Sequence, residues 1–192
     1  MKPTGETATF AASCRLILGE CRTALARIDP AAVETLLGAI LAADRVFFVG
    51  VGRVLPSLEA MAKRLNHLGV DTVVVGQITE PAITGRDLLI VGSGSGETLF
   101  PVAVARKAKT LGATIAHIGS NPDSSLKPVT DIFVRIPVRT KLERPGEIVS
   151  RQPMTSLFEQ SLLLFGDSLA CMIVARRHVD VKSLWRRHAN LE

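Results

Sequence analysis

The chain contains no tyrosine, a single tryptophan and only 4% aromatic residues. Base stacking on exposed rings is therefore poorly supplied, and nucleic acid is not an expected partner. Cysteine is equally scarce. Cys14, Cys21 and Cys171 are the three present, an odd number without metal-ligand spacing, which argues against a disulfide framework and for a reducing, cytoplasmic setting. Cys14 and Cys21 lie on an apolar helical pattern and read as small core residues. The N-terminus lacks a basic segment followed by an uninterrupted apolar stretch, and no run reads as long enough to span a bilayer. A soluble protein without membrane association is expected. There is no Walker lysine and no dinucleotide-type glycine spacing, and the histidines offer no metal cluster; neither a cofactor nor a metal is expected.

What is present is a chain of 192 residues, 47% hydrophobic, enough for one domain with a sizeable core. The net charge of +5 is modest, and Arg176-Arg177 and Arg186-Arg187 account for much of the excess. A solvated helical face explains those arginines, and an electropositive site for an anionic metabolite fits them as well.

Helical patterns cover about Glu6 to Ala26 and Pro30 to Ala43, the second opened by an Asp29 cap and a first-turn proline. Strands and helices then alternate. Arg45 to Gly50, Thr72 to Val75, Leu88 to Gly92, Ala113 to Ile118 and Ile132 to Ile136 read as strands, and Leu55 to Leu68 and Leu99 to Leu111 as helices closed by Gly69 and Gly112. A short helix is expected over Ser124 to Val129. The strands are apolar without polar alternation, as when helices cover both faces. The prediction is an α/β fold: a three-layer αβα sandwich on a five-stranded parallel sheet, flavodoxin-like, with ligands at the carboxyl ends of the strands. Arg139 to Ser150 is an irregular, charged loop of the kind that borders active sites. Pro153 is expected to open a long helix to about Arg177, apolar almost all round, whose burial calls for more than one sheet face and so for an oligomer.

One segment carries the most chemistry. Val91-Gly92-Ser93-Gly94-Ser95-Gly96-Glu97-Thr98 follows a buried strand and precedes a helix. Pro101 has no N–H and belongs in a first helical turn, so the helix starts near Glu97 or Thr98. Glycines admit a ligand to the backbone, and the helix N-terminus with Ser93, Ser95 and Thr98 aims donors at it; phosphate is the natural occupant. A flexible Gly/Ser turn is the plain alternative.

Val91 to Thr98 resembles the phosphosugar loop of the sugar isomerase (SIS) domain, as does Gly119-Ser120-Asn121-Pro122-Asp123-Ser124 the turn after its fourth strand. More narrowly, Lys63-Arg64-Leu65-Asn66-His67-Leu68-Gly69, Thr79-Glu80-Pro81-Ala82-Ile83, Gln152-Pro153-Met154 through Leu157-Phe158-Glu159-Gln160, and the ending Arg187-His188-Ala189-Asn190-Leu191-Glu192 are similar to the 6-phospho-3-hexuloisomerase family. The match spans nearly the whole chain, a single SIS domain over 1–192 with N-terminal helices over about 6–43 and a long helix plus tail over about 153–192. The resemblance implies a metal-independent isomerase that converts 6-phospho-3-hexulose into fructose 6-phosphate, usually a homotetramer. Its functional partner would be 3-hexulose-6-phosphate synthase, which fixes formaldehyde onto ribulose 5-phosphate in the ribulose monophosphate pathway. The alternatives are a non-catalytic phosphosugar-binding regulatory module or an isomerase of another sugar phosphate. A regulator would need a DNA-binding domain, for which the residues before the first strand leave little room.

Glu159 is the expected catalytic base: a carboxylate in the second turn of so apolar a helix is costly without a purpose, and one carboxylate can carry a proton from one carbon to the next through an enediol. The alternative is a structural ion pair with Arg53 or Arg151. His67 falls opposite the apolar stripe Leu58, Met61, Ala62, Leu65 and Leu68, so it reads as a surface rather than a core histidine. It stands far from its own phosphate loop; the resemblance implies a catalytic role, which would be exerted in a neighbouring subunit's site. Gly52 and Arg53 form a second wall, with Arg53 facing phosphate or Glu159. Here the chain departs from the family, which places Ser after Arg where this sequence has Val54; Ser57 is a weak substitute. The substrate-binding set is Gly52, Arg53, Ser93, Gly94, Ser95, Gly96, Glu97, Thr98, Gln152 and His188. Gln152 has an equally good alternative as a loop residue, and His188 lies in a charged tail that the resemblance docks near a site. His117 and His178 read as satisfied or solvated.

Overall fold

The computed structural model describes residues 9–191. The expected start of the first helix at Glu6 lies outside them. Helix α1 (Phe10–Leu25) opens where the Thr9 hydroxyl accepts from Ala12 N–H at 3.2 Å. Helix α2 (Pro30–Ala42) opens where the Asp29 carboxylate accepts from Ala31 N–H at 3.0 Å, with proline in its first turn as anticipated.

Strands β1 (Val46–Val49), β2 (Thr72–Val74), β3 (Leu88–Gly92), β4 (Thr114–Gly119) and β5 (Ile132–Arg135) form one parallel sheet in the order β2-β1-β3-β4-β5. This is the flavodoxin-like arrangement. Alternate residues feed two cores. Val46, Phe48, Leu88, Ile90, Ile118 and Val134 pack with α2, α3 (Val54–His67) and α5 (Ser156–Arg176), while Phe47, Val49, Leu89, Val91 and Ile115 pack with α4 (Leu99–Thr110). Burial on both faces explains why the strands lack polar alternation.

The chain order reverses between β1 and β3, which lie side by side with Val49 opposite Val91. From their carboxyl ends the chain leaves to α3 on one face and α4 on the other, and a crevice opens between them. Helix α5 joins that edge by lying close against α3. A methyl at Gly166 would stand 2.9 Å from Met61 side-chain atoms, so only glycine permits the approach.

Helix α5 departs from two sequence expectations. It begins at Ser156, not at Pro153, because Met154 adopts φ 54° and the preceding residues are tied to α1. By length and hydropathy, Ser156–Arg176 is also long and apolar enough to cross a bilayer, contrary to the reading that no run is. It is the central core helix of the fold: Leu157, Phe158, Leu162, Leu169 and Ile173 are buried against α3, α1 and the sheet.

Candidate active site

The carboxyl edge gathers the N-termini of three helices, and none of them carries a side-chain cap bond: Arg53 precedes α3, Thr98 precedes α4 and Thr155 precedes α5. The helices α1 and α2 are capped by Thr9 and Asp29. Uncapped first turns leave N–H donors and positive dipole ends for an oxyanion.

The Ser/Gly loop occupies one wall. Ser93 Oγ accepts from Gly96 N–H at 3.1 Å and Ser95 Oγ accepts from Glu97 N–H at 3.3 Å. Acting as acceptors within the loop leaves each hydroxyl a proton to donate. Thr98 Oγ1 stands 3.4 Å from Ser93 Oγ. The loop is held from behind by groups that sequence reasoning did not assign. Ser120 and Asn121 N–H donate to the Gly94 carbonyl at 2.9 and 3.3 Å, and Asn121 Nδ2 donates to the Ser95 carbonyl at 3.1 Å. His117 Nε2–H donates to the Ser93 carbonyl at 2.9 Å, and burial pushes its pKa down to about 4. This is the satisfied histidine of the sequence reading. Gly119 makes the arrangement possible, because a methyl there would sit 2.3 Å from His117 Nε2 and 2.5 Å from the Ser93 carbonyl oxygen.

Of the loop residues, Glu97 turns its side chain away. Its carboxylate accepts from Ser125 N–H at 2.9 Å and from Ser125 Oγ at 2.5 Å, bonds that hold its carboxyl below the usual range. The 139–150 segment borders the loop, with the Thr140 methyl 3.4 Å from the position a Gly94 Cβ would take. Glu147 fixes that segment by accepting from Ser120 Oγ, Thr140 N–H and Arg144 N–H at 3.0, 3.1 and 3.0 Å.

Helix α5 approaches the loop through Phe158, whose ring lies 3.5 Å from the position a Gly94 Cβ would take, and the next residue is Glu159. It lies in the first turn of α5, one turn earlier than expected, and is 7% exposed. Thr155 Oγ1 donates to its Oε1 at 2.9 Å and Arg53 Nε donates to its Oε2. Ser57 Oγ donates to its backbone carbonyl at 2.9 Å, so Ser57 fixes α5 and does not replace the missing serine at position 54. Val54 packs its Cγ1 over Gly50 and Gly92 at the floor of the crevice. Gly52, with φ 57° and open space around it, makes the left-handed turn that brings Arg53 forward.

Three predicted residues, Gln152, His67 and His188, are drawn elsewhere. Gln152 Nε2 donates to Glu20 Oε2 at 3.0 Å, and the same carboxylate accepts from Ser150 Oγ at 2.6 Å and Arg151 N–H at 2.9 Å. Gln152 is thus a loop residue in this arrangement. His67 is 8% exposed, which corrects the surface reading. Helix periodicity placed it opposite the core, but the 3-10 segment Val181–Arg187 folds over it and His188 stacks on its ring at a centroid distance of 5.7 Å. The two histidines, Arg64 and Trp185 line a cavity of about 150 Å³. Burial, then Lys63, Arg64 and His188, lowers the His67 pKa, and its Nε2 has no partner among the described residues. The cavity lies at the other end of α3, about 15 Å along the axis from Ser57 at 1.5 Å per residue.

The same edge of the sheet thus carries an oxyanion cradle and a buried carboxylate, chemistry suited to holding a phosphorylated molecule and moving a proton on it. The SIS domain family matches residues 39–165. The chain is 37% identical over 176 residues to the 3-hexulose-6-phosphate isomerase of Bacillus subtilis, covering 92% of this chain and 95% of that relative. It is 41% identical to that of Mycobacterium gastri, covering 92% and 88%. A Methanococcus jannaschii crystal structure, from which 3-hexulose-6-phosphate isomerase function is inferred, superposes with a TM-score of 0.81 at 28% identity over 94% of this chain and 99% of that one. The chain belongs to the SIS domain family and, within it, to the 3-hexulose-6-phosphate isomerases.

Proposed function

We propose that the protein interconverts 6-phospho-3-hexulose and fructose 6-phosphate. The phosphate sits on the Ser93 to Thr98 loop, held by its N–H groups and by the hydroxyls of Ser93, Ser95 and Thr98, with Gly94 and Gly96 admitting it to the backbone. Glu159 takes the proton from C2 of the 3-ketose, the enediolate between C2 and C3 passes its hydroxyl proton from O2 to O3, and Glu159 returns the carbon proton to C3. The carbonyl has then moved from C3 to C2. The observation that carries this reading is Glu159 itself, a carboxylate buried in the first turn of α5, next to Phe158, whose ring lies 3.5 Å from the position a Gly94 Cβ would take in the Ser/Gly loop.

His67 and His188 act together in the neighbouring subunit's site of a homotetramer, where a neutral imidazole handles hydroxyl protons. A cytoplasmic place and supply of the ketose by 3-hexulose-6-phosphate synthase complete the proposal, with no cofactor. The test is a coupled assay of fructose 6-phosphate formation from 3-hexulose 6-phosphate. Glu159→Gln lowers kcat about 10²–10⁴-fold, the usual worth of a positioned base, and retains sugar-phosphate binding. Near-normal turnover by that variant refutes the assignment.

A further inference from the structure

Arg53 grips the group that the proposed reaction needs free. Both oxygens of Glu159 are engaged within the chain, but by unlike partners. Thr155 belongs to the same helix and is part of its first-turn geometry. Arg53 reaches across from the start of α3, and its side chain is 72% exposed while that of Glu159 is 9% exposed. The guanidinium therefore sits on the solvent side of the pair, at the mouth of the crevice. A carboxylate offers it one charge; a phosphate dianion offers two, with three acceptor oxygens that fit the guanidinium fork. Arg53 also lies on the same edge of the sheet as the Ser/Gly loop, since its loop leaves β1 beside β3, the strand that feeds that loop.

We propose that Arg53 is a specificity-determining residue that couples phosphate recognition to release of the base. The dianion of a phosphorylated ketose draws the guanidinium off Glu159 Oε2, and that oxygen then accepts the carbon-bound proton, while Thr155 continues to hold Oε1. A ketose without phosphate leaves Arg53 on Glu159. It is rejected in the chemical step as well as in binding, so part of the phosphate's binding energy is expressed in turnover. The inference rests on Glu159 being the base.

Two measurements on the full chain test it. In the first, unphosphorylated 3-hexulose is assayed with and without phosphite dianion. Phosphite activates the wild type; Arg53→Gln turns over the unphosphorylated ketose about fivefold faster than wild type, the scale of a solvent-screened ion pair, and loses the activation. Equal phosphite activation of both proteins overturns the proposal. The second requires no turnover. Glu159 is coupled to glycinamide with a water-soluble carbodiimide and read by peptide mass spectrometry, with exposed Glu59 as internal reference. Inorganic sulfate at constant ionic strength accelerates labelling of Glu159 in the wild type, whereas in Arg53→Gln labelling is fast with or without it. Sulfate-independent labelling in the wild type, or sulfate-dependent labelling in Arg53→Gln, overturns the coupling whatever the substrate, which separates its failure from failure of the isomerase reading.

Discussion

Acidification destabilises the back of the Ser/Gly loop through His117. The imidazole is 1% exposed, donates from Nε2 to the Ser93 carbonyl at 2.9 Å, and lies against Phe133 at a centroid distance of 5.1 Å. Burial moves its pKa from 6.5 to about 4, with the bond to Ser93 opposing that shift in part. Folding therefore favours the neutral ring. Above the unfolded value neither state holds the extra proton and the stability is fully present. As pH falls toward the folded value, the unfolded chain binds a proton that the folded chain refuses, and stability is lost. At 1.36 kcal/mol per pK unit the full span is worth about 3 kcal/mol, of which about 2 kcal/mol is gone by about pH 5. Urea denaturation at fixed protein concentration, at about pH 7.5 and about pH 5, measures this in wild type and in His117→Gln, whose amide keeps a donor for Ser93 but does not titrate. Carboxylates and His67 titrate in both proteins and cancel in the difference. The wild type should lose about 2 kcal/mol more than the variant; equal losses refute the assignment of a neutral buried His117.

Gly119→Ala drives a methyl into His117 Nε2 and the Ser93 carbonyl, at 2.3 and 2.5 Å. Overpacking of this kind costs about 1–3 kcal/mol, and with the loop displaced, sulfate should protect the variant less in thermal denaturation. An unchanged melting temperature with unchanged sulfate protection contradicts it. Glu20→Ala removes the acceptor of Ser150, Arg151 and Gln152. Hydrogen exchange should rise over 150–155 and kcat should fall several-fold, while α1 keeps its cap at Thr9; exchange equal to wild type shows that Glu20 does not hold the approach to α5.

Much of the fold is legible because it is local. Apolar strands, Asp29 before Pro30, and Gly69 and Gly112 behind their helices set elements that the structure reproduces within a residue or two. Pro101 places the start of α4 correctly, because a residue without an N–H is tolerated only in the first turn, where donors have no helical acceptor, and it stands third in the helix that begins at Leu99. Pro153 misleads by the same rule. The segment before it is held by Glu20 of α1, a partner more than a hundred residues away, and Met154 turns into the left-handed region before the helix can start. His67 fails for a related reason: a helical wheel reports the faces of one helix and says nothing of a tail that returns to cover the polar one.

The same non-local logic sorts the carboxylates, which no composition or spacing could do. Glu20 on a helix, Glu97 in the predicted substrate-binding set and Glu147 in an irregular loop have nothing in common in sequence, yet each collects hydroxyl or backbone donors from another segment and fixes a loop around the crevice. Their lone pairs are consumed by structural donors that are part of the fold. Glu159 differs in one respect that matters for chemistry. Its Oε2 is held by an exposed, flexible guanidinium, not by a backbone N–H. A backbone donor leaves only if the loop unfolds, whereas an exposed arginine leaves by rotating its own side chain, which costs no more than rotamer entropy and a screened ion pair. Among these carboxylates Glu159 alone combines burial with a partner that a bound anion can remove. That combination, rather than burial by itself, is what supports Glu159 as the proposed carrier of the substrate's proton.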